Sequence, residues 1–363
     1  MAKRSEATAT ARRSGSPVAG WRGLGLFWLV VGLVLAGGGV TLQILGPVEP
    51  PSTKVAIQAP LRPGPALSQP ATPVRPPTKP ASGPRAGRDL PGPIADPDPA
   101  LLEPADGSPN DLLPRIATDG RMPMQVYAAG FDGSTRRPRV GLLLAGVGLN
   151  QADSEAAIRS LPGGVTLAIS PYAQNLPKLL VAARLAEHEY LLSLPMEPQG
   201  FPLNDPGPRA LMTNISPEEN HTRLEWILSR IAGYVGATGA LGSLRGERVA
   251  SMPDQINPVL TELAQRGLLY VDPRPGTPAP QTVWGRSIDL VIDEPPTATD
   301  IDNKLAQLSR LAHDKGSALG LVGVVRPVTT DRIATWANGL LADGLALAPV
   351  SALVQPAAKA ATQ

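Results

Sequence analysis

Between Met122 and Val354, short apolar runs alternate with longer amphipathic stretches. Apolar runs bounded by turn residues predict buried strands, and stretches with a helical apolar stripe predict helices. The strands are expected at 139–145, 165–170, 190–194, 235–241, 268–272, 288–292, 318–325 and 345–350. Helices are expected at 153–160, 176–186, 258–266, 301–315 and 331–342, with another starting after Ser216. That last start is well marked: Ser216 as N-cap, Pro217 in the first turn, Glu219 three residues after the cap. Leu224, Ile227, Leu228 and Ile231 then supply its buried stripe. Strands alternating with helices predict an α/β fold with a mostly parallel sheet. About seven units suit a closed or nearly closed barrel, with an open doubly wound sheet as the alternative. In both, a site is expected at the C-terminal ends of the strands.

Upstream the pattern changes twice. No charged residue occurs from Gly23 to Val48. Residues 23–45 are therefore expected to be a single transmembrane anchor, long enough to cross about 30 Å of hydrocarbon at about 1.5 Å per residue. Lys3, Arg4, Arg12, Arg13 and Arg22 precede it, against Glu6 alone, and the first charge after it is Glu49. By that asymmetry 1–22 form a cytoplasmic basic tail and the C-terminal bulk faces outward. A cleaved signal peptide is the competing reading, since small residues follow Leu35. Nineteen of the 42 prolines then fall between Pro47 and Pro114. Such a stretch buries too little apolar surface to offset its ordering entropy, so 46–121 are expected to be a disordered Pro-rich linker. The domain is placed at 122–354 and a flexible tail at 355–363.

Composition narrows the chemistry. The chain has no cysteine, which excludes disulfides and thiolate metal sites. The net charge is +2 and no basic run is interleaved with aromatics, so nucleic acid is not an expected partner. Gly146-Val147-Gly148-Leu149 resembles part of a dinucleotide loop, but lacks the third glycine and the acidic strand end expected downstream.

The region 139–354 carries a more specific likeness. Leu161-Pro162-Gly163, Pro171-Tyr172-Ala173 and His188-Glu189-Tyr190 come first, then Leu194-Pro195-Met196-Glu197-Pro198 and Asn204-Asp205-Pro206-Gly207-Pro208. Leu211-Met212-Thr213, Ser216-Pro217-Glu218-Glu219-Asn220, Gly242-Ser243, Asp293 and Arg326-Pro327 continue the order. In this order the motifs resemble the divergent polysaccharide deacetylase family of Gram-negative envelopes. The resemblance implies a deacetylase-like distorted (β/α)7 barrel. It also shows departures. The family's paired aspartates after the first strand fall on Ala145 and Gly146, one histidine falls on Ala240, and a late one on Val324. Ser193 stands where a histidine is common, and of an Asp-Ser pair only Asp272 remains.

Metal-dependent deacetylation needs imidazole or carboxylate ligands, a base for the attacking water and an acid for the leaving amine. Alanine, glycine and valine supply none of these. No catalytic residue, no metal ligand and no cofactor is therefore assigned. The three histidines are read as structural: His188 as a surface residue at a helix end, His221 as partly buried with Glu225 at i+4, and His313 as complementing a helix C-terminus. Asp272, Asp289, Asp293 and Glu294 form the richest acidic group. The bland reading pairs them with Arg274, Arg286 or Arg326, and makes Glu197 a loop carboxylate bonded to backbone amides. The functional reading keeps Glu197, Asp272, Arg274, Asp293 and Arg326 as a ligand-binding groove. The expected protein is thus an inner-membrane, single-pass envelope protein. Its periplasmic domain, catalytically degenerate, binds peptidoglycan, another amino-sugar glycan or a cell-wall-processing partner. The alternative is an active carbohydrate N-acetyl deacetylase with a displaced metal site. A third possibility is an interaction module with an occluded mouth.

Overall fold

The computed structural model describes residues 92–105 and 108–357, together with positions 27, 28 and 31. The expected tail at 1–22, most of the expected anchor at 23–45 and the first part of the expected linker lie outside the described residues. Among those described, no helix is long and apolar enough to cross a membrane.

The strands are β1 (Leu102–Ala105), β2 (Ser108–Pro114), β3 (Arg139–Val147), β4 (Thr166–Ile169), β5 (Tyr190–Ser193), β6 (Gly236–Thr238), β7 (Leu269–Asp272), β8 (Gly285–Ser287), β9 (Leu290–Val291), β10 (Ser317–Val322) and β11 (Ala346–Leu347). The helices are α1 (Pro123–Val126), α2 (Gln151–Ser160), α3 (Leu176–Leu185), α4 (Pro217–Leu228), α5 (Glu247–Ala250), α6 (Pro253–Gln265), α7 (Ala298–Lys315) and α8 (Pro327–Gly339). The main sheet runs β8-β7-β6-β5-β4-β3-β10-β9, with β11 added on β3, and its pairings are parallel. It curls into a half-barrel. Its two edge strands, β8 and β9, are neighbours in sequence. Between them Ile288 N–H donates to Asp272 O and Asp289 N–H to Leu319 O, so one short segment bonds to β7 on one side and β10 on the other.

Alternation along the strands divides the core. Leu142, Leu144, Leu167, Tyr190, Leu192 and Tyr270 pack outward against the helices. Leu143, Ala145, Ala168, Leu191, Leu269, Val271, Leu319 and Leu321 face inward. Successive strand side chains point to opposite faces, and both faces of this sheet are covered, so the strands read as unbroken apolar runs.

Two expectations need correction. The linker does not extend to residue 121: β1 and β2 form an antiparallel hairpin, and Ile94, Leu101, Leu113 and Ala117 are buried. Proline content misled here because few apolar residues, placed against the open N-terminal end of the half-barrel, suffice to anchor the segment. Helix α6 starts at Pro253 rather than Pro258, which lies inside it. The second proline costs one backbone bond, and burial of Ile256, Val259, Leu260 and Leu263 offsets that cost.

At the N-terminal end of the sheet lies a feature the sequence did not signal. The Glu189 carboxylate, fully buried, accepts from Ala129 N–H (3.0 Å), Thr166 Oγ1 (2.9 Å), Ser351 N–H (2.9 Å) and Ser351 Oγ (2.5 Å). It fastens the entering chain, β4 and the C-terminal turn at Val350–Ala352 to one another. Burial pushes its pKa up, against the pull of these donors. Its neighbour His188 is buried too, not at the surface: Nδ1 lies 2.7 Å from Val165 O and Nε2 3.1 Å from Ile158 O.

Candidate functional site

All main-sheet strands are parallel, so their C-terminal ends gather at one rim. Ala145 ends the inward face of β3, and Gly146 follows it with φ of +72°, a conformation that favours glycine. Ser170 closes β4, and Ser193, buried with no partner for its Oγ, closes β5. Thr238 closes β6, its hydroxyl donating to Val271 O (2.9 Å).

The loop after β6 crosses this rim. Leu241 and Leu244 exchange backbone hydrogen bonds of 2.9 and 3.1 Å, which folds 241–244 into a tight turn. A Cβ placed on Gly146 would lie 3.0 Å from Gly323 O and 3.3 Å from Gly242 Cα. One placed on Gly323 would lie 3.1 Å from Gly242 O and 3.3 Å from Ser243 Cα. Backbone of β3 and of the segments after β6 and β10 therefore meets closely, and a methyl group there would have to displace its neighbours by a few tenths of an ångström. Arg245, on the same loop, holds Glu294 at 2.7 Å and so ties the loop to the end of β9.

The acids expected here are all engaged. Asp272, 5% exposed, accepts from Arg274 through its backbone N–H (3.0 Å), Nε (2.9 Å) and Nη2 (2.6 Å). Asp293, 3% exposed, accepts from Gly323 N–H and Val324 N–H, both at 2.9 Å, with Arg326 Nη1 at 3.4 Å. Glu197, also buried, takes Thr213 N–H and Thr213 Oγ1 at 2.7 Å each on Oε2, and Arg248 Nη1 at 2.9 Å on Oε1. Asp289 is held by Arg286 and Lys315. The five residues expected to form a groove thus lie near the rim but are closed onto local partners. Arg274 pairs with Asp272 and Arg326 with Asp293.

The same geometry tests whether a divalent ion fits. The side chains at Ala145, Gly146, Ala240 and Val324 offer no ligand atoms, and Ala240, on the crossing loop itself, is wholly buried. His188 is held between two backbone carbonyls, whereas His313 lies on the exposed C-terminal turn of α7. His221 is exposed, not partly buried, and stands 3.8 Å from Glu225. Among the described residues no three His, Asp or Glu side chains are grouped closely enough to hold a metal.

A family model for the divergent polysaccharide deacetylase matches residues 142–354. The chain belongs to that family. A solved structure of similar fold, an uncharacterised protein from Agrobacterium tumefaciens C58, is 31% identical with a TM-score of 0.61. The match covers 67% of this chain and 99% of that one. No curated protein matches the chain. In this divergent polysaccharide deacetylase, residues 92–141, including the hairpin, precede the matched span.

Beside the rim lies a group of residues that motif reading did not assemble. Trp226 of α4 packs against Tyr172, which follows β4, with ring centroids 6.0 Å apart. Arg230 and Arg209 both stack on the Trp226 ring, at 5.2 and 5.6 Å from its centroid. The only sequence signal was the i, i+4 spacing of Trp226 and Arg230. Arg209 arrives from a distant loop.

Proposed function

We propose that this divergent polysaccharide deacetylase acts without deacetylation, as a glycan-binding module of the cell envelope. The observation that supports the non-catalytic part of this reading is the rim itself. The loop carrying Gly242 packs on Gly146 and Gly323, and Glu197, Asp272 and Asp293 are each engaged by arginine or backbone N–H. Among the described residues no set of three metal-ligating side chains stands there, and the nearby carboxylates are already paired. The apolar run at 23–45 would anchor the chain in the inner membrane, with 1–22 cytoplasmic and the folded domain in the periplasm. Peptidoglycan is the amino-sugar polymer available at that address. A protein partner that processes the cell wall is the second candidate ligand.

Acetate release from N-acetylated chito-oligosaccharides and from peptidoglycan strands, with and without added zinc, tests the non-catalytic reading. No release is expected. Zinc-dependent release that Asp272→Asn abolishes would overturn it and restore a displaced site. A reporter fused after Pro114 tests the address: it should be active only when exported. Cytoplasmic activity of that fusion would remove the envelope from the account.

A further inference from the structure

With the rim acids engaged by local partners, a cleft elsewhere offers suitable chemistry for a bound glycan. A cleft of about 630 Å³ lies between the β1–β2 hairpin, α3 and the end of α4. Ligand sites commonly occupy roughly 300–1,000 Å³. Leu112 and Val181, 41% and 47% exposed, give it an apolar wall, and Asn110, Asn175 and Ser229 bring polar groups. Arg230 stands on its edge and stacks on Trp226, whose ring also carries Arg209.

The two arginines set the ligand class. Arg230 spends Nε on Pro171 O (3.2 Å), and the Arg209 backbone N–H donates to Tyr172 Oη (3.3 Å). Neither guanidinium meets a carboxylate within 4.0 Å among the described residues, unlike Arg245, Arg248, Arg274 and Arg326 at the rim. Lying over one indole restrains both guanidiniums, and the Nη groups of Arg230 are left to meet an anion. Sugar hydroxyls match side-chain amides, apolar sugar faces match Leu112 and Val181, and a carboxylate matches the guanidinium forks. We infer that this cleft, with Arg230 on its edge and Arg209 beyond it over the same indole, binds a carboxylate-bearing glycan; the inference rests on the glycan-binding reading above and names its site and ligand class.

The test uses isothermal titration of the full chain in detergent. The probes are peptide-free peptidoglycan strands, which carry lactyl carboxylates, neutral chito-oligosaccharides of similar length, and inorganic phosphate. The strands are expected to bind at least about tenfold more tightly than the neutral sugar, the worth of one charge-assisted contact. Arg209→Ala/Arg230→Ala should lose about tenfold or more, whereas Arg209→Lys/Arg230→Lys should lose less. Should the double alanine variant melt early, Arg209→Ala alone and Leu112→Glu, both at exposed positions, replace it and should also weaken binding. Unchanged affinity in folded variants would overturn the cleft and leave the glycan reading standing. Equal affinity for neutral sugar, or phosphate binding as tightly as the strands, would overturn the carboxylate-glycan assignment. Absence of binding to either glycan would overturn the glycan reading and this inference with it.

Discussion

If the rim is closed by backbone contact, a single methyl group there must destabilise the fold. Gly146→Ala introduces two costs. Its φ of +72° is left-handed, which costs a non-glycine residue about 1–2 kcal/mol. Its Cβ would also sit 3.0 Å from Gly323 O, tighter than ordinary van der Waals contact. Gly323 has no such φ, so Gly323→Ala reports contact alone, with Cβ 3.1 Å from Gly242 O. Gly133, with no heavy atom within 4 Å of its Cβ position, is the control. We expect losses of about 2–4 kcal/mol for Gly146→Ala, about 1–3 for Gly323→Ala and less than about 0.5 for Gly133→Ala. Urea denaturation followed by circular dichroism measures these as midpoint shifts at constant slope. The double variant should deviate from additivity, because both methyl groups press on the same loop. If Gly323→Ala matches the control, the loop does not bear on β10 and the closed rim is wrong. If Gly146→Ala binds zinc or gains acetate release, the reading of the site is wrong as well.

Other outcomes follow from the buried polar groups and the rim. Glu189→Ala orphans the Ala129 and Ser351 N–H groups, while the hydroxyls can turn; at about 1–3 kcal/mol per buried unpaired donor the loss should be about 2–6 kcal/mol, read by thermal or urea melts. Burial lowers the His188 pKa below its usual 6.5, so the unfolded chain takes up this proton first as pH falls. Its contribution to stability is therefore present above about pH 6.5 and lost as pH drops toward the lowered folded value. Melting temperatures from pH 7.5 to 5 should show that slope, and His188→Gln should flatten it. Asp272→Asn should leave acetate release at background while weakening the Arg274 pairing, a modest loss of about 1 kcal/mol or more in urea melts.

The sequence by itself determined most of the parallel sheet. Runs such as 139–145 and 190–194 are apolar because both faces of a central parallel strand are buried, and Ser216-Pro217 marks a helix start through local hydrogen-bond geometry. Motif order also singled out Ala145, Gly146, Ala240 and Val324 as the strand-end positions to examine. Tertiary structure alone decided what those positions do. Whether strand ends form an open groove depends on where the 239–246 loop lies, and no residue within it announces a contact with Gly146 or Gly323. The hairpin at 102–114 was hidden because its few apolar residues gain burial only against distant strands. Glu189 read as part of a motif, yet its four donors come from segments up to 162 positions away. Arg209 and Arg230 looked like ordinary surface charges. Their shared indole appears only once the chain has folded, because stacking is set by distance in space and not by spacing along the sequence.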